Sequence, residues 1–460
     1  MRSSSRSFAA VVLAAAVATG AAACSSSSSS SAASPSSSTS ASGSSSSAQT
    51  ASITAWIVTT AAAGTPAPSD TAVQNLATAF DTAHPGDTVT IKFVQNDAYK
   101  QQIQDAMTAG NEPQIFWTWG GGPLQQDIKA GKVTALATTS EVSGGSSYLS
   151  QFLPSSLGAV TVNGNVYGIP VEGTQPVYFF YNKTVFSKYN LSFPTTWAQL
   201  LSDVAVFKSH GVSPISLAGG STWPDLMFLE YLADRIGGPS VADALQSNQA
   251  NAWSNPAVTE ALTDIQSLIK AGGFQTGYTA LQDNGTNDTL VTSGKAAMQL
   301  MGDWDISSIL GSDASFVSSG DLGMAPFPSV AGGTGNAADL AGNTASYVSI
   351  STDATSAQIA VAKEFFQDEL ASSTYAKAEV AAGEVPVTSG ASADFSGDLV
   401  SYDTQIYTDV QNAPNFQYSW DQYLGPTIAI PMLDNLSKVF ELSETPSQFA
   451  AVMNKFQTGS

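Results

Sequence analysis

The chain of 460 residues has a single cysteine, Cys24, so no disulfide can form within it, and neither a thiolate metal cluster nor cysteine-based catalysis fits its composition. Only two histidines occur. His84 precedes Pro85 and His210 precedes Gly211, turn sequences that read as surface positions and leave little for imidazole chemistry. Positive charge is scarce as well: 16 lysines and arginines face 37 acidic residues, a net charge of −21. Nucleic acid and anionic lipid surfaces both demand clustered basic side chains, so neither is expected as a partner. Charged residues make up only 12% of the chain, and the polar surface must come from hydroxyls and amides. No apolar run reaches the roughly 20 residues that cross a bilayer. A phosphate loop is missing too, because Ser293-Gly294-Lys295 lacks the required spacing. The oxygen-rich segment from Asp283 to Asp288 departs from the calcium-loop pattern and reads as a polar turn. Neither a metal nor a cofactor is expected.

What is present begins with Arg2 and Arg6, the short apolar run Phe8 to Val17, and Ala21-Ala22-Ala23-Cys24, the pattern of a secretory signal. Residues 1–23 are expected to be removed, which leaves 14 basic residues against 37 acids and a charge of −23. Cys24 and the small residues before it resemble a bacterial lipobox, with Ala21 in place of the usual leucine. The resemblance implies a lipidated Cys24 that holds the protein on the outer face of the cell membrane. From Cys24 to about Thr50 the sequence is almost entirely serine and alanine, too poor in large apolar groups to fold, and reads as a flexible tether.

The remaining residues, about 410, exceed one ordinary core and imply at least two lobes. Ser52 to Val58 reads as a strand, Val73 to Phe80 carries helical spacing ended by His84-Pro85-Gly86, and Thr88 to Val94 reads as a second strand. A helix over Tyr99 to Ala109 and a short strand at Gln114 to Trp117 continue the alternation, which predicts a largely parallel sheet covered on both faces. Further helical patterns lie at Leu226 to Ile236, Val258 to Ala271 and Ala357 to Leu370, and Asn163-Gly164 marks a hairpin. In open sheets of this type ligands lie beyond the carboxyl ends of the strands. Here those ends are Val58-Thr59, Gln95-Asn96-Asp97 and Trp117-Thr118-Trp119-Gly120.

The segments Phe80 to Val94, Phe116 to Val133, Gly168 to Phe186, Pro194-Thr195-Thr196-Trp197 and Gly294 to Trp304 resemble, in order, motifs of the family 1 solute-binding proteins of sugar ABC transporters. The resemblance implies an α/β fold of the periplasmic-binding type (type 2): two lobes, three chain crossings, and a ligand cleft between them. The crossings would fall near Ile169 to Gly173, Gly323 to Phe327 and Ala371 to Lys377. Residues 51–168 with 325–371 would form the first lobe, and residues 169–324 with 372–460 the second.

A sugar offers C–H faces to aromatic planes and hydroxyl edges to carboxylates and amides, so such side chains at strand ends are the candidates for a binding site. Trp117 and Trp119 flank glycines that allow close approach, although strand alternation suits one indole to the core. Asn96 and Asp97 offer an amide and a carboxylate, or simple helix caps. By resemblance, Glu172 would bond hydroxyls at the first crossing, Trp304 with Asp303 alongside would stack from the second lobe, and Trp223, Trp420 and Asn343 would add further contacts. Glu384, in Gly383-Glu384-Val385-Pro386, is the weaker candidate, and Met298 and Met301 read as core. The implied partners are an oligosaccharide and the permease subunits of an ABC importer, with the protein acting as a monomer and without catalysis. The enzymatic rival is a glycoside hydrolase with paired carboxylates, for which Glu172 and Asp303 would be the pair.

Overall fold

A computed structural model describes residues 50–59, 61, 66–145 and 147–457. The signal segment, Cys24 and the serine-rich tract before Thr50 lie outside the described residues. None of the described helices is long and apolar enough to cross a membrane.

The strands in chain order are β1 (Ser52–Thr59), β2 (Thr88–Gln95), β3 (Ile115–Thr118), β4 (Ala137–Thr138), β5 (Thr161–Val162), β6 (Asn165–Val166), β7 (Ile169–Glu172), β8 (Gln175–Asn182), β9 (Ser213–Ser216), β10 (Ala296–Gly302), β11 (Leu322–Ala325), β12 (Leu340–Asn343), β13 (Ser346–Ile350) and β14 (Phe416–Tyr418). One sheet has the order β2-β1-β3-β13-β7; a second has the order β14-β12-β8-β10-β9, with β11 also paired to β8. A small third sheet, β4-β6-β5, contains the hairpin expected at Asn163-Gly164. Both turn residues have positive φ, 50° and 78°, which asparagine and glycine tolerate best.

Each large sheet carries its own core. The first gathers Phe80, Tyr99, Phe116, Tyr347 and Phe365; the second gathers Phe179, Phe180, Phe228, Trp253 and Phe440. Every residue of β3 and of β10 is buried, as expected of strands with helices on both faces. The helices follow from local signals: Pro68 and Pro256 each open one at its first position, the Asn255 side chain caps the latter by accepting the Ala257 N–H at 2.9 Å, and Gly272 ends it in the left-handed conformation.

Two expectations need correction. The sheets are mixed rather than largely parallel: β13 runs antiparallel to β3, and β8 runs antiparallel to β10, β11 and β12. The cause is the chain crossing, since a strand entering a lobe from its neighbour starts at the inner end, where the native strands of that lobe finish. The lobe boundaries also lie elsewhere. β7 belongs to the first sheet, so the first crossing is Gly173-Thr174, at the end of the range expected for it, and Ile169 to Glu172 join the first lobe rather than the second. β11 and β12 belong to the second sheet, which moves the second crossing from Gly323–Phe327 to Thr344-Ala345. Tyr375 packs in the first core, Val385 in the second, Val387 again in the first, and Leu399 and Tyr402 in the second, so the third crossing begins at Glu384-Val385 and not at 371–377.

This topology decides where a ligand can sit. Apart from the incoming strands β8 and β13, the strands of both large sheets direct their carboxyl ends toward the junction between them. There stand Thr59, Asn96, Trp119 and Glu172 on one side, and Trp304, Asn343 and the Ser419–Gln422 turn on the other.

Candidate ligand-binding cleft

The junction holds a cavity of about 790 Å³, its mouth included, lined from the first lobe by Thr59, Asp70, Asn96, Lys100, Trp117, Trp119 and Glu172. From the second come Gln175, Trp223, Met227, Trp304, Asn343, Ser419, Asp421 and Gln422, and Glu384 projects from the third crossing. Two indole pairs define the walls. Trp117 and Trp119 meet edge to face at 6.4 Å; Trp223 and Trp304 lie 6.0 Å apart, tilted by 50°. The indole N–H groups of Trp117 and Trp223 have no protein partner. Trp304 lies across Gly302, where any β-carbon would collide with the indole.

Carboxyl groups cover much of the polar lining. Asp70 accepts bonds from the Thr59 hydroxyl at 2.8 Å and the Ala67 N–H at 3.1 Å, and burial still raises its pKa. Glu172 accepts the Gln175 side-chain amide at 3.0 Å, and burial followed by repulsion from Glu384 lifts its pKa well above the usual range. Glu384 is 1% exposed, neither of its oxygens has a partner, and burial with the nearby Asp403 pushes its pKa to about 8. The only cationic side chain in the described lining is Lys100, whose ammonium lies 5.3 Å from the Trp119 ring and 5.8 Å from the Trp223 ring. Acceptors and stacked rings therefore dominate, a surface suited to a ligand with many hydroxyl donors and apolar faces.

Residues 63–377 match the family of bacterial extracellular solute-binding proteins, about two thirds of the sequence. The chain belongs to that family. This solute-binding protein is 25% identical over 209 residues to an uncharacterized ABC transporter extracellular-binding protein of Pyrococcus horikoshii, a match covering 45% of each chain. The chain thus spans about half the length of the curated relatives it matches. A structure solved in work on xylan utilization by Caldanaerobius polysaccharolyticus superposes with a TM-score of 0.77 at 28% identity, covering 88% of this chain and 99% of the other. A chitin oligosaccharide binding protein superposes with a TM-score of 0.76 at 20% identity over 89% and 98% of the two chains, and that likeness concerns the fold.

Seven of the ten side chains expected in this solute-binding protein's cleft line the cavity: Asn96, Trp117, Trp119, Glu172, Trp223, Trp304 and Asn343. Glu384, expected to be a weaker candidate, lines it as well. Three lie elsewhere. Asp97 accepts a short hydrogen bond from the Ser221 hydroxyl and so joins the two lobes at the rim. Asp303 is completely buried outside the lining, with Glu384 and Asp403 among its charged neighbours. Trp420 is also completely buried, packed edge to face on Trp253 at 5.9 Å, while its backbone N–H donates to Glu230 at 2.6 Å. That bond and a second from the Ser419 hydroxyl, 2.9 Å, fix the turn that delivers Asp421 and Gln422 to the cavity. The glycines after Trp119 serve the lobes rather than a ligand, because Gly121 and Gly122 lie directly against Gln422 and Leu424 of the opposite lobe. Asp70, Lys100, Gln175 and Asp421 escaped sequence reasoning. Lys100 was within reach, since it stands one helical turn beyond Asn96 on the same face.

Proposed function

We propose that this protein captures a disaccharide or short oligosaccharide between its lobes and presents it to the permease subunits of an ABC importer. The observation that carries the proposal is the pairing of indoles, Trp117 with Trp119 and Trp223 with Trp304, across one cavity edged by carboxyls and amides. Two aromatic walls can cover opposite faces of sugar rings, and four indoles offer more stacking surface than one ring can use. Hinge motion at the three crossings would admit and enclose the ligand. The names of the structural relatives, xylan utilization and chitin oligosaccharide binding, support the same ligand class. Membership in a solute-binding family favours binding without catalysis over hydrolysis by paired carboxylates. The lipid at Cys24 would keep the protein beside its permease, and a single chain suffices for the whole cleft.

Tryptophan emission reports on this directly. Titration with the bound oligosaccharide is expected to shift or quench fluorescence in wild type, with the change much reduced in Trp304→Ala; an unchanged spectrum across all sugars would count against the proposal. For the anchor, replacing Cys24 with alanine is expected to release the protein from the membrane into the medium, and retention would contradict lipidation there.

A further inference from the structure

Glu384 occupies an unusual position: it lines the cleft, yet it stands on the third crossing, where Val385 accepts a hydrogen bond from the Thr174 N–H of the first crossing at 3.1 Å. Gly173 passes so close to the Val385 carbonyl that a β-carbon would collide with it. The hinge is thus a place where two crossing segments touch backbone to backbone, with a buried carboxyl group beside them. Neither oxygen of Glu384 has a hydrogen-bond partner, and the same holds for Asp403 on the helix Val400–Asn412. The titratable groups facing Glu384 are Glu172 at the end of β7, Asp70 on the helix Pro68–Ala83, Asp303 after β10, Glu379 and Tyr375 on the helix Ser373–Ala382, and Asp403. Among the described residues, no lysine, arginine or histidine forms an ion pair with any of these carboxyls. Such a set cannot all be ionised in a closed, poorly hydrated cleft.

We propose that closing the cleft takes up protons at this hinge cluster, with Glu384 as the principal acceptor, so that ligand is held tightly in mildly acid surroundings and loosened as pH rises. Members of the cluster come from both lobes and from the crossings, and Asp70, Glu172 and Glu384 face the cavity, so opening hydrates them. Hydration returns each toward the ordinary carboxylic range, whereas with the lobes joined as in this structure, through Asp97 and Ser221, burial and then Asp403 hold Glu384 to about 8. Its closed-state pKa is raised. The closed form is therefore fully favoured below about pH 4.5 and loses that advantage as pH climbs toward 8. Each linked proton changes affinity by up to about tenfold per pH unit inside this window.

This inference rests on the oligosaccharide reading, and the test separates the two. Calorimetric titration with the bound oligosaccharide at pH 7, in two buffers of different ionisation heat, is expected to show net proton uptake on binding, with affinity falling from pH 5.5 to 8.5. Asp403→Asn, outside the cleft lining, should reduce both effects while binding is retained, and Glu384→Gln should remove most of the proton uptake and pH dependence of the binding it keeps; if Glu384→Gln fails to fold or to bind, Asp403→Asn alone decides. Binding with equal affinity across this range and no proton exchange overturns the inference while leaving the function intact. If no sugar binds at any pH, the functional reading fails, and ligand-free protein decides the remainder. Infrared spectra at pH 7 should then show the C=O band of protonated carboxylic acid, diminished in Glu384→Gln, and its absence overturns the proton store.

Discussion

Trp304 and Trp420 are both tryptophans followed by aspartate at a turn, and the chemistry around them differs completely. Trp304 is half-buried, rests on Gly302 and faces the cavity; Trp420 is fully enclosed against Trp253 and Phe449 shares that cluster. Trp304→Ala is therefore expected to weaken ligand binding by about 2 kcal/mol or more with little change in the melting temperature of the ligand-free protein. Trp420→Ala should instead cost about 3–5 kcal/mol of folding stability, read by denaturant unfolding, because it empties a packed site. Reversal of the two results would refute the assignment. Sequence could place both indoles at strand ends but could not tell their fates apart, since the Glu230 carboxylate that binds the Trp420 N–H is 190 residues away along the chain. Asp97 was misread for a similar reason, its partner Ser221 being on the other lobe.

At the scale of elements, local pattern served well where the determinants are local. The strands β1, β2 and β3 and the helices Trp223–Gly237 and Pro256–Ala271 all lie within a few residues of their sequence expectations. What the pattern could not supply was the sheet that each later strand joins. β7 is a short apolar strand whichever lobe claims it, and pairing with β13 is settled by residues more than 170 positions away. The crossings inherit that ambiguity, which is why the second and third moved. Their close packing makes a sharp prediction: Gly173→Ala forces the first and third crossings apart and should lower both melting temperature and ligand affinity, whereas Gly158→Ala, whose surroundings are open and whose φ is not positive, should leave both nearly unchanged. Thermal scans and titrations of the two variants distinguish a hinge constraint from a general loss of glycine.

For the whole molecule, the two sheets, each with its own core, meet along a cleft bridged by side-chain contacts: Ser69 with Ser307 at 3.1 Å, Gln95 with the Asp283 carbonyl at 3.1 Å, and Tyr418 with the Trp119 carbonyl. All are hydrogen bonds that can break and reform, and only three crossings tie the lobes covalently. Small-angle scattering should accordingly give a smaller radius of gyration with ligand than without, most clearly for Ser221→Ala, in which one closing contact is missing. The central claim is that this cleft binds an oligosaccharide without cleaving it. Isothermal titration of residues 50–460 against mono-, di- and oligosaccharides, followed by chromatography of the sugar, tests it most directly. The account predicts one ligand per chain for at least one short oligosaccharide, recovered intact, whereas no binding to any sugar, or products of hydrolysis, would contradict it.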